Sequence, residues 1–162
     1  MSAVPQGATR LDFAALIDQH GRLLQVETAL PSLALIPERM VLREAVSQPF
    51  ELVLDCLSTS ALFELKLLVG EQISVRLLQP DGRYKPWHGY VLEAAQLGSD
   101  GGFARYRLTM RPWFSLLELR DDCFVFQDKD ARAILEDVFR DYPQANFRFD
   151  LSEPLRVRSL CL

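Results

Sequence analysis

Residues 71–112 constrain this chain more than any other stretch, because they fit little except three consecutive antiparallel β-strands. Gln72-Ile-Ser-Val-Arg-Leu-Leu-Gln79 alternates apolar and polar residues, so one face is buried and the other is wet. Asp81-Gly82 is the dipeptide that favours a positive-φ hairpin turn. Lys85-Pro-Trp-His-Gly-Tyr-Val-Leu-Glu93 resumes the strand pattern. Gly98-Ser-Asp-Gly-Gly102 turns the chain again, and Phe103-Ala-Arg-Tyr-Arg-Leu-Thr-Met-Arg111 returns. Such a meander is a scaffold, and it carries scaffold residues where an enzyme would carry reactive ones.

The chain has 162 residues, enough for one domain, or for one domain and part of a second. At this size roughly two-thirds of the unfolded surface leaves water on folding. The 18 basic and 22 acidic residues are interspersed, giving a net charge of −4. No block of like charge supplies an electrostatic footprint for nucleic acid. Hydrophobic residues make up 49% of the chain, at the upper end for a soluble domain. A well-filled core explains this, as does a subunit with apolar surface meant for partners. No segment reaches the ~18 uncharged apolar residues of a membrane span. The first ten residues have no basic start and no apolar run, so they do not read as a secretory signal, which places the chain in the cytoplasm at first. Cys56, Cys123 and Cys161 are odd in number and widely spaced, so buried free thiols are expected.

Residues 1–10 read as a flexible lead-in. Residues 11–17 and 23–30 flank Gln19-His20-Gly21-Arg22 as a hairpin. Residues 33–37, bracketed by prolines, read as irregular or as an edge. Residues 40–46 form a strand that Ser47-Gln48-Pro49 breaks. The strand at 50–57 then places Phe50, Leu52 and Leu54 on one face. Ser58-Thr59-Ser60 reads as the cap of a short helix over 61–68, closed by Gly70. After Pro112, residues 113–119 are ambiguous between strand and helix, Asp121-Asp122 is a break, and 123–127 is a short buried strand. Asp130 is an N-cap for a helix whose apolar face is Ala131, Ile134, Leu135, Val138 and Phe139; Tyr142-Pro143 stops it. Residues 147–151 and 155–160 alternate as strands. A chain closing on a strand with no polar tail reads as a piece of something longer. The fold class is therefore α+β and β-dominated: an antiparallel barrel-like sheet with one clear helix near residues 130–141. The organisation expected is a lead-in over 1–10, a first barrel-like domain over 11–127, and the start of an adjoining segment over 128–162.

The order of these features resembles a known family. Ser47-Gln48-Pro49-Phe50 opens a strand, and Leu68-Val69-Gly70 precedes Ile73-Ser74-Val75. Trp87-His88-Gly89-Tyr90-Val91, Tyr106-Arg107-Leu108 and Arg111-Pro112-Trp113 with Leu116-Leu117 follow. Phe126-Gln127-Asp128-Lys129-Asp130 completes the series. Together they resemble the N-terminal hub region of the VgrG family, the spike proteins of bacterial type VI secretion, itself similar to the tail-hub protein of contractile phages. The resemblance implies barrel-like β-domains with inserted helices and a ring of three copies on the secreted tube. It implies protein partners only: a homotrimer in the full-length protein, the tube protein, and effectors or adaptors. It implies no cofactor, no catalysis, and secretion through the apparatus after a cytoplasmic stage. Pro49, Phe50, Gly70, His88, Gly89, Pro112, Phe126 and Gln127 become structural-motif residues. Phe124 departs from the family, which often has Arg there.

Reactive chemistry finds little support. His20 sits in a turn, and His88, if buried, needs a hydrogen-bond partner. No Cys-x-x-Cys or His-x-x-x-His spacing is present. Asp128-Lys129-Asp130 begins like a calcium loop but lacks Gly at the sixth position and Glu at the twelfth, so it reads as helix capping. Gly98–Gly102 joins strand to strand and is a turn, not a phosphate cradle. Asp121 and Asp122 read as solvated loop charge. Arg105, Arg107 and Arg111 share a strand face, as a wet outer surface or a strip for an acidic protein partner. Gly89, inside a strand, marks a bulge, a bend or a close backbone approach. Two other readings stay open: a small-molecule-binding β-barrel, which needs an interior cavity, and a hydrolase with dispersed residues.

Overall fold

A computed structural model describes residues 22–31, 34–100 and 102–162. The lead-in, His20 and the first arm of the expected 11–30 hairpin lie outside the described residues. Eight strands follow in chain order: β1 (Leu24–Glu27), β2 (Ile36–Ala45), β3 (Gln48–Ser58), β4 (Gln72–Leu78), β5 (Tyr84–Asp100), β6 (Phe103–Arg111), β7 (Phe126–Lys129) and β8 (Arg158–Cys161). The first six form one antiparallel sheet in the order β1-β4-β5-β6-β3-β2, curled into a half-barrel. The meander is its centre, as the alternation requires. The described residues divide into two compact units. One runs to Arg43 and adds Glu51–Met110; the other joins Glu44–Phe50 to Arg111–Leu162.

One face of the six-stranded sheet is the core. Leu52, Leu54 and Cys56 of β3, Ile73 and Val75 of β4, Trp87 and Val91 of β5, and Ala104, Tyr106, Leu108 and Met110 of β6 are all buried. Each set sits at alternate positions, so the period-2 pattern is read directly into packing. The register that achieves this is regular: β3 meets β6 from Leu52↔Met110 to Ser58↔Ala104, and β4 meets β5 from Gln72↔Tyr90 to Leu78↔Tyr84. β1 adds to the far side of β4 and places Val26 opposite Val75.

The turns differ in detail from the sequence expectation. Gly82 alone has positive φ, at 81°, where a two-residue turn through Asp81-Gly82 needs it at both positions. The Gly82 N–H donates to the Gln79 carbonyl (2.9 Å) and the Gln79 N–H to the Arg83 carbonyl (2.8 Å). This is a three-residue loop with Pro80 leading and Gly82 as the left-handed bulge. The break before β3 falls at Val46-Ser47, with Ser47 at φ 61°, and Pro49 lies inside β3. Pro49 precedes the first β6 pair at Leu52, so its missing N–H takes nothing from that ladder. β2 begins at Ile36 and contains Pro37, which is tolerated because β2 is an edge of the sheet.

Three expected elements are corrected. Residues 61–68 form no α-helix, only a 3₁₀ turn at Leu65–Leu67. Local bonds compete for the backbone: Ser58 Oγ accepts from the Ser60 N–H (3.0 Å) and Ser60 Oγ from the Leu62 N–H (3.3 Å). Residues 123–125 are not a buried strand. Cys123 and Val125 are exposed, and β7 begins only at Phe126, where Cys161 of β8 stands opposite. Residues 147–151 form no ladder either; Phe147 and Phe149 turn their rings to each other, 5.3 Å apart. The final strand is shorter than expected, starting at Arg158.

The second unit is built around aromatic rings. Trp113 heads a 3₁₀ helix, Trp113–Leu119, that resolves the strand–helix ambiguity there. Its indole meets Phe139 edge-on at 5.0 Å, and Phe139 meets Phe147 at 4.8 Å. The Trp113 Nε1–H donates to the Asn146 carbonyl (3.0 Å). Phe139 ends the helix Ala131–Phe139, whose N-cap is Asp130 as expected: its carboxylate accepts from the Ala133 N–H at 2.8 Å.

Gly89 faces the core between Trp87 and Val91 and is buried, while the β4 register passes through it unbroken at Ile73↔Gly89. There is no bulge against β4. Valine at this position adds a branched side chain to a filled face. Gly89→Val is expected to lower stability by ~1–3 kcal/mol through overpacking. An unchanged melting temperature would remove this account of the glycine.

Candidate functional site

The residues that could carry chemistry lie apart or are already engaged. His88 points to the wet face of β5 and is exposed, not buried. Its Nδ1 shares a 2.7 Å hydrogen bond with Ser74 Oγ, the residue directly across the β4–β5 register. Cys56 lies on the buried face of the same sheet, so it does not meet His88. Burial, with the negative fields of Asp55 and Glu38, pushes the Cys56 thiol up to about 12. It is a small hydrophobe in the core. Cys123 is exposed and Cys161 half-buried, correcting the expectation of three buried thiols; all three are free. Among the described residues, no group of three or more His, Cys, Asp or Glu could hold a metal ion.

Four aspartates of the second unit are committed to structure. Asp130 caps the helix, and Lys129 pairs with Asp137. Asp137 also takes Arg140 at 2.6 Å, and its carboxyl is held below the usual range by the Lys129 hydrogen bond foremost. Arg120 bridges Asp122 and Asp141 at 2.6 and 2.7 Å. The calcium-like opening at Asp128 is thus spent on capping and ion pairing.

The arginine strip exists, but acidic side chains of this chain occupy it. Arg105 forks onto Glu38 (3.1 and 3.2 Å). Arg107 forks onto Asp55, its cross-strand partner on β3 (2.7 and 3.0 Å). Arg111 reaches Glu118 at 2.9 Å. Bidentate charge-assisted pairs of this kind fix geometry as well as charge. The strip is therefore internally compensated, which weakens its reading as a surface for an acidic partner. Sequence analysis found the arginines but not their partners, because Glu38–Arg105 and Asp55–Arg107 depend on a non-local register.

Asp55 is the most sheltered of these acids, its side chain 12% exposed. The Arg107 hydrogen bonds hold its carboxyl below the ordinary aspartate range against the opposing effect of burial, and the fields of Arg107, Arg39 and Arg105 assist. A depressed carboxyl contributes stability that is complete above the unfolded pKa, near 4, and is lost as pH falls through the folded value. Wild-type protein is thus expected to exceed Asp55→Asn in urea midpoint at pH 7, with the gap closing below about pH 4. A gap that persists unchanged at pH 2.5 would dismiss the ion pair as its source.

The motif residues hold structural positions. Gly70, at φ 87°, donates its N–H to the Val91 carbonyl (2.8 Å) and follows the 3₁₀ turn into β4. Pro49 and Phe50 open β3, His88 and Gly89 lie in β5, and Pro112 is the extended N-cap of the Trp113–Leu119 helix. Phe126 and Gln127 begin β7 opposite Cys161 and Leu160. These positions include strand starts, a turn and a cap, with His88 and Gly89 inside a strand. The interior is also filled: Leu52, Leu54, Val75, Val91, Tyr106, Leu108 and Met110 are wholly excluded from solvent. Among the described residues, these side chains occupy the covered face of the sheet.

Comparison with known proteins agrees with this scaffold character. Residues 43–162 match the phage tail baseplate hub (GPD) family. The chain is 33% identical over 150 residues to the type VI secretion system spike protein VgrG1c of Pseudomonas aeruginosa PAO1, covering 93% of this chain and 21% of that protein. It is 34% identical over 144 residues to VgrG1b of the same strain, covering 89% and 19%. The chain thus spans about one fifth of the length of the curated relatives it matches. Its fold is similar to a solved E. coli protein, c3393, described as a component of the type VI secretion system with structural similarity to the T4 bacteriophage tail proteins gp27 and gp5. The TM-score is 0.74 at 18% identity, over 85% of this chain and 38% of that one.

Proposed function

The chain belongs to the phage tail baseplate hub family, and from that membership we propose that it is a structural segment of a type VI secretion spike hub. The observation that carries the reading is the identity to spike proteins of about one third along nearly all of this chain. The physical character of the molecule supports it. Many charged side chains are paired within the chain and the covered face of the sheet carries large apolar side chains, as befits a mechanical part. In this reading the full-length protein assembles as a homotrimer on the secreted tube and delivers effectors, directly or through adaptors. It is made in the cytoplasm and leaves through the apparatus. Ring assembly requires heterologous contacts that close, and obligate contacts of that kind bury ~2,000 Å² or more, largely apolar. The second unit offers apolar surface for this: Val125, Val157, Leu160 and Leu162 are exposed. Among the described residues, no helix is long and apolar enough to cross a membrane.

The test is an in-frame deletion of the codons for residues 22–162 in the bacterium that encodes the protein. The tube protein is expected to vanish from the culture medium while its cellular level is unchanged. Continued export at the parental level would overturn the proposal. The isolated chain is expected to be monomeric or aggregation-prone at micromolar concentration; light scattering that shows a stable trimer would contradict that part alone.

A further inference from the structure

β8 has one lateral neighbour. It pairs with β7 in a two-stranded sheet, so its other edge meets no strand among the described residues. Arg158, Ser159 and Leu160 of β8 are exposed, as are Arg156 and Val157 before them. Outside the β7 ladder, no backbone group of residues 155–162 has a backbone partner among the described residues. An open edge of this kind holds main-chain donors and acceptors ready for another strand. Charge marks what that strand would carry. Arg156 and Arg158 form no ion pair or side-chain hydrogen bond among the described residues. Arg105, Arg107, Arg111, Arg120, Arg132 and Arg140 each reach an acidic side chain of this chain. Asp150 and Glu153, the acids nearest in sequence, do not meet Arg156 or Arg158. Alternate residues of a strand point to one side, so Leu160 shares the face of Arg158, opposite Gln127 and Lys129 of β7. Lys129 is tied to Asp137, which leaves Arg158 as the uncompensated charge on that face.

We propose that the open edge of β8 receives an extended acidic segment of a partner protein as a third strand. Main-chain hydrogen bonds hold it, with carboxylates on Arg156 and Arg158 and an apolar side chain over Leu160. The proposal stands without the spike reading and leaves Val125, Val157 and Leu162 for ring contacts. A nucleic acid fits less well, because the chain has a net charge of −4 and no block of basic residues. Fluorescence anisotropy of a labelled peptide, Thr-Val-Thr-Glu-Thr-Glu-Thr, against this chain tests it. In antiparallel order its valine and two glutamates match the spacing of Leu160, Arg158 and Arg156. Saturable binding is expected, at least about threefold weaker when lysines replace both glutamates and in the Arg156→Ser, Arg158→Ser double variant. A peptide with prolines for its two central threonines lacks those main-chain donors and is expected to weaken similarly. In ¹⁵N spectra, shifts are expected at Arg156 to Cys161. Both arginines are exposed, so the double variant is expected to keep the parental melting temperature; the altered peptides test the proposal on the unaltered chain in any case. Equal binding of the lysine or the proline peptide would overturn the proposal, as would no shift at these residues at about 5 mM peptide. Tighter binding of a thymidine oligonucleotide would make this an anion site and overturn it. Self-association in sedimentation that the double variant loses would give the edge to a second copy and overturn it too.

Discussion

Tyr106→Ala is expected to cost ~3–5 kcal/mol, among the largest losses available in the first unit. Tyr106 is wholly excluded from solvent at the middle of the β6 core row, opposite Cys56 of β3. Its ring meets Phe63 edge-on at 5.5 Å. Its hydroxyl donates to the Ser60 carbonyl at 2.9 Å, and the Phe63 N–H reaches it at 3.5 Å. One side chain thus fills the core and ties down the segment that follows β3. Tyr106→Phe separates the two roles. It keeps the ring and removes only the hydroxyl, leaving a carbonyl without its donor, for ~1–2 kcal/mol. Urea midpoints at constant slope measure both. If Tyr106→Phe costs as much as Tyr106→Ala, packing is not the main term and the core assignment fails.

That same hydroxyl explains a limit on what could be read from the sequence. The meander was legible because alternation and turn residues are local signals: β4 and β6 fall where the pattern places them, while β5 runs past the expected Glu93 to Asp100, into the stretch expected to be the turn. The expected helix over 61–68 was not, because Tyr106 lies more than forty positions away and holds the Ser60 carbonyl in a non-helical path. Ser58 and Ser60 look like caps in sequence and act as turn formers in space. Residues 147–151 fail for a related reason. Alternation predicts which side chains share a side, not whether a neighbouring strand is present to accept the ladder. Phe147 and Phe149 keep their shared side and use it for ring contacts.

The same division applies to the candidate site. Arginines on one face of β6 are visible in the sequence as a period of two. Whether they await a partner or already have one is decided by β3, whose pairing with β6 is non-local, and by β2 on the far side of β3. Once Glu38 and Asp55 are placed, Arg105 and Arg107 are each matched by an acid of this chain. The family assignment was legible because it rests on the order of many weak motifs, each a turn, cap or strand start that the fold requires. No single one of them carries a reaction, and for that reason none could be recognised alone.

In the second unit the decisive residue is Phe139, and Phe139→Ala is expected to remove ~3–5 kcal/mol from it. Phe139 is 6% exposed, and rings of Trp113, Phe114 and Phe147 surround it at 5.0, 6.3 and 4.8 Å. Edge-to-face contacts of this kind add ~0.5–1.5 kcal/mol each beyond buried area. Much of the rest of this unit's apolar surface is open, with Phe114, Phe147 and Leu151 each more than 40% exposed. Few other contacts can therefore compensate when the central ring is deleted. Phe139→Leu keeps most of the volume and loses only the ring geometry, so a smaller loss of ~1–1.5 kcal/mol is expected. The chain has two tryptophans, Trp87 in the first unit and Trp113 in the second. In a Trp87→Phe background, emission reports the second unit alone. Phe139→Ala should move that transition to lower urea and shift Trp113 emission to the red as its indole is wetted. A midpoint within experimental error of the parent would mean that the aromatic cluster is not what holds this unit together.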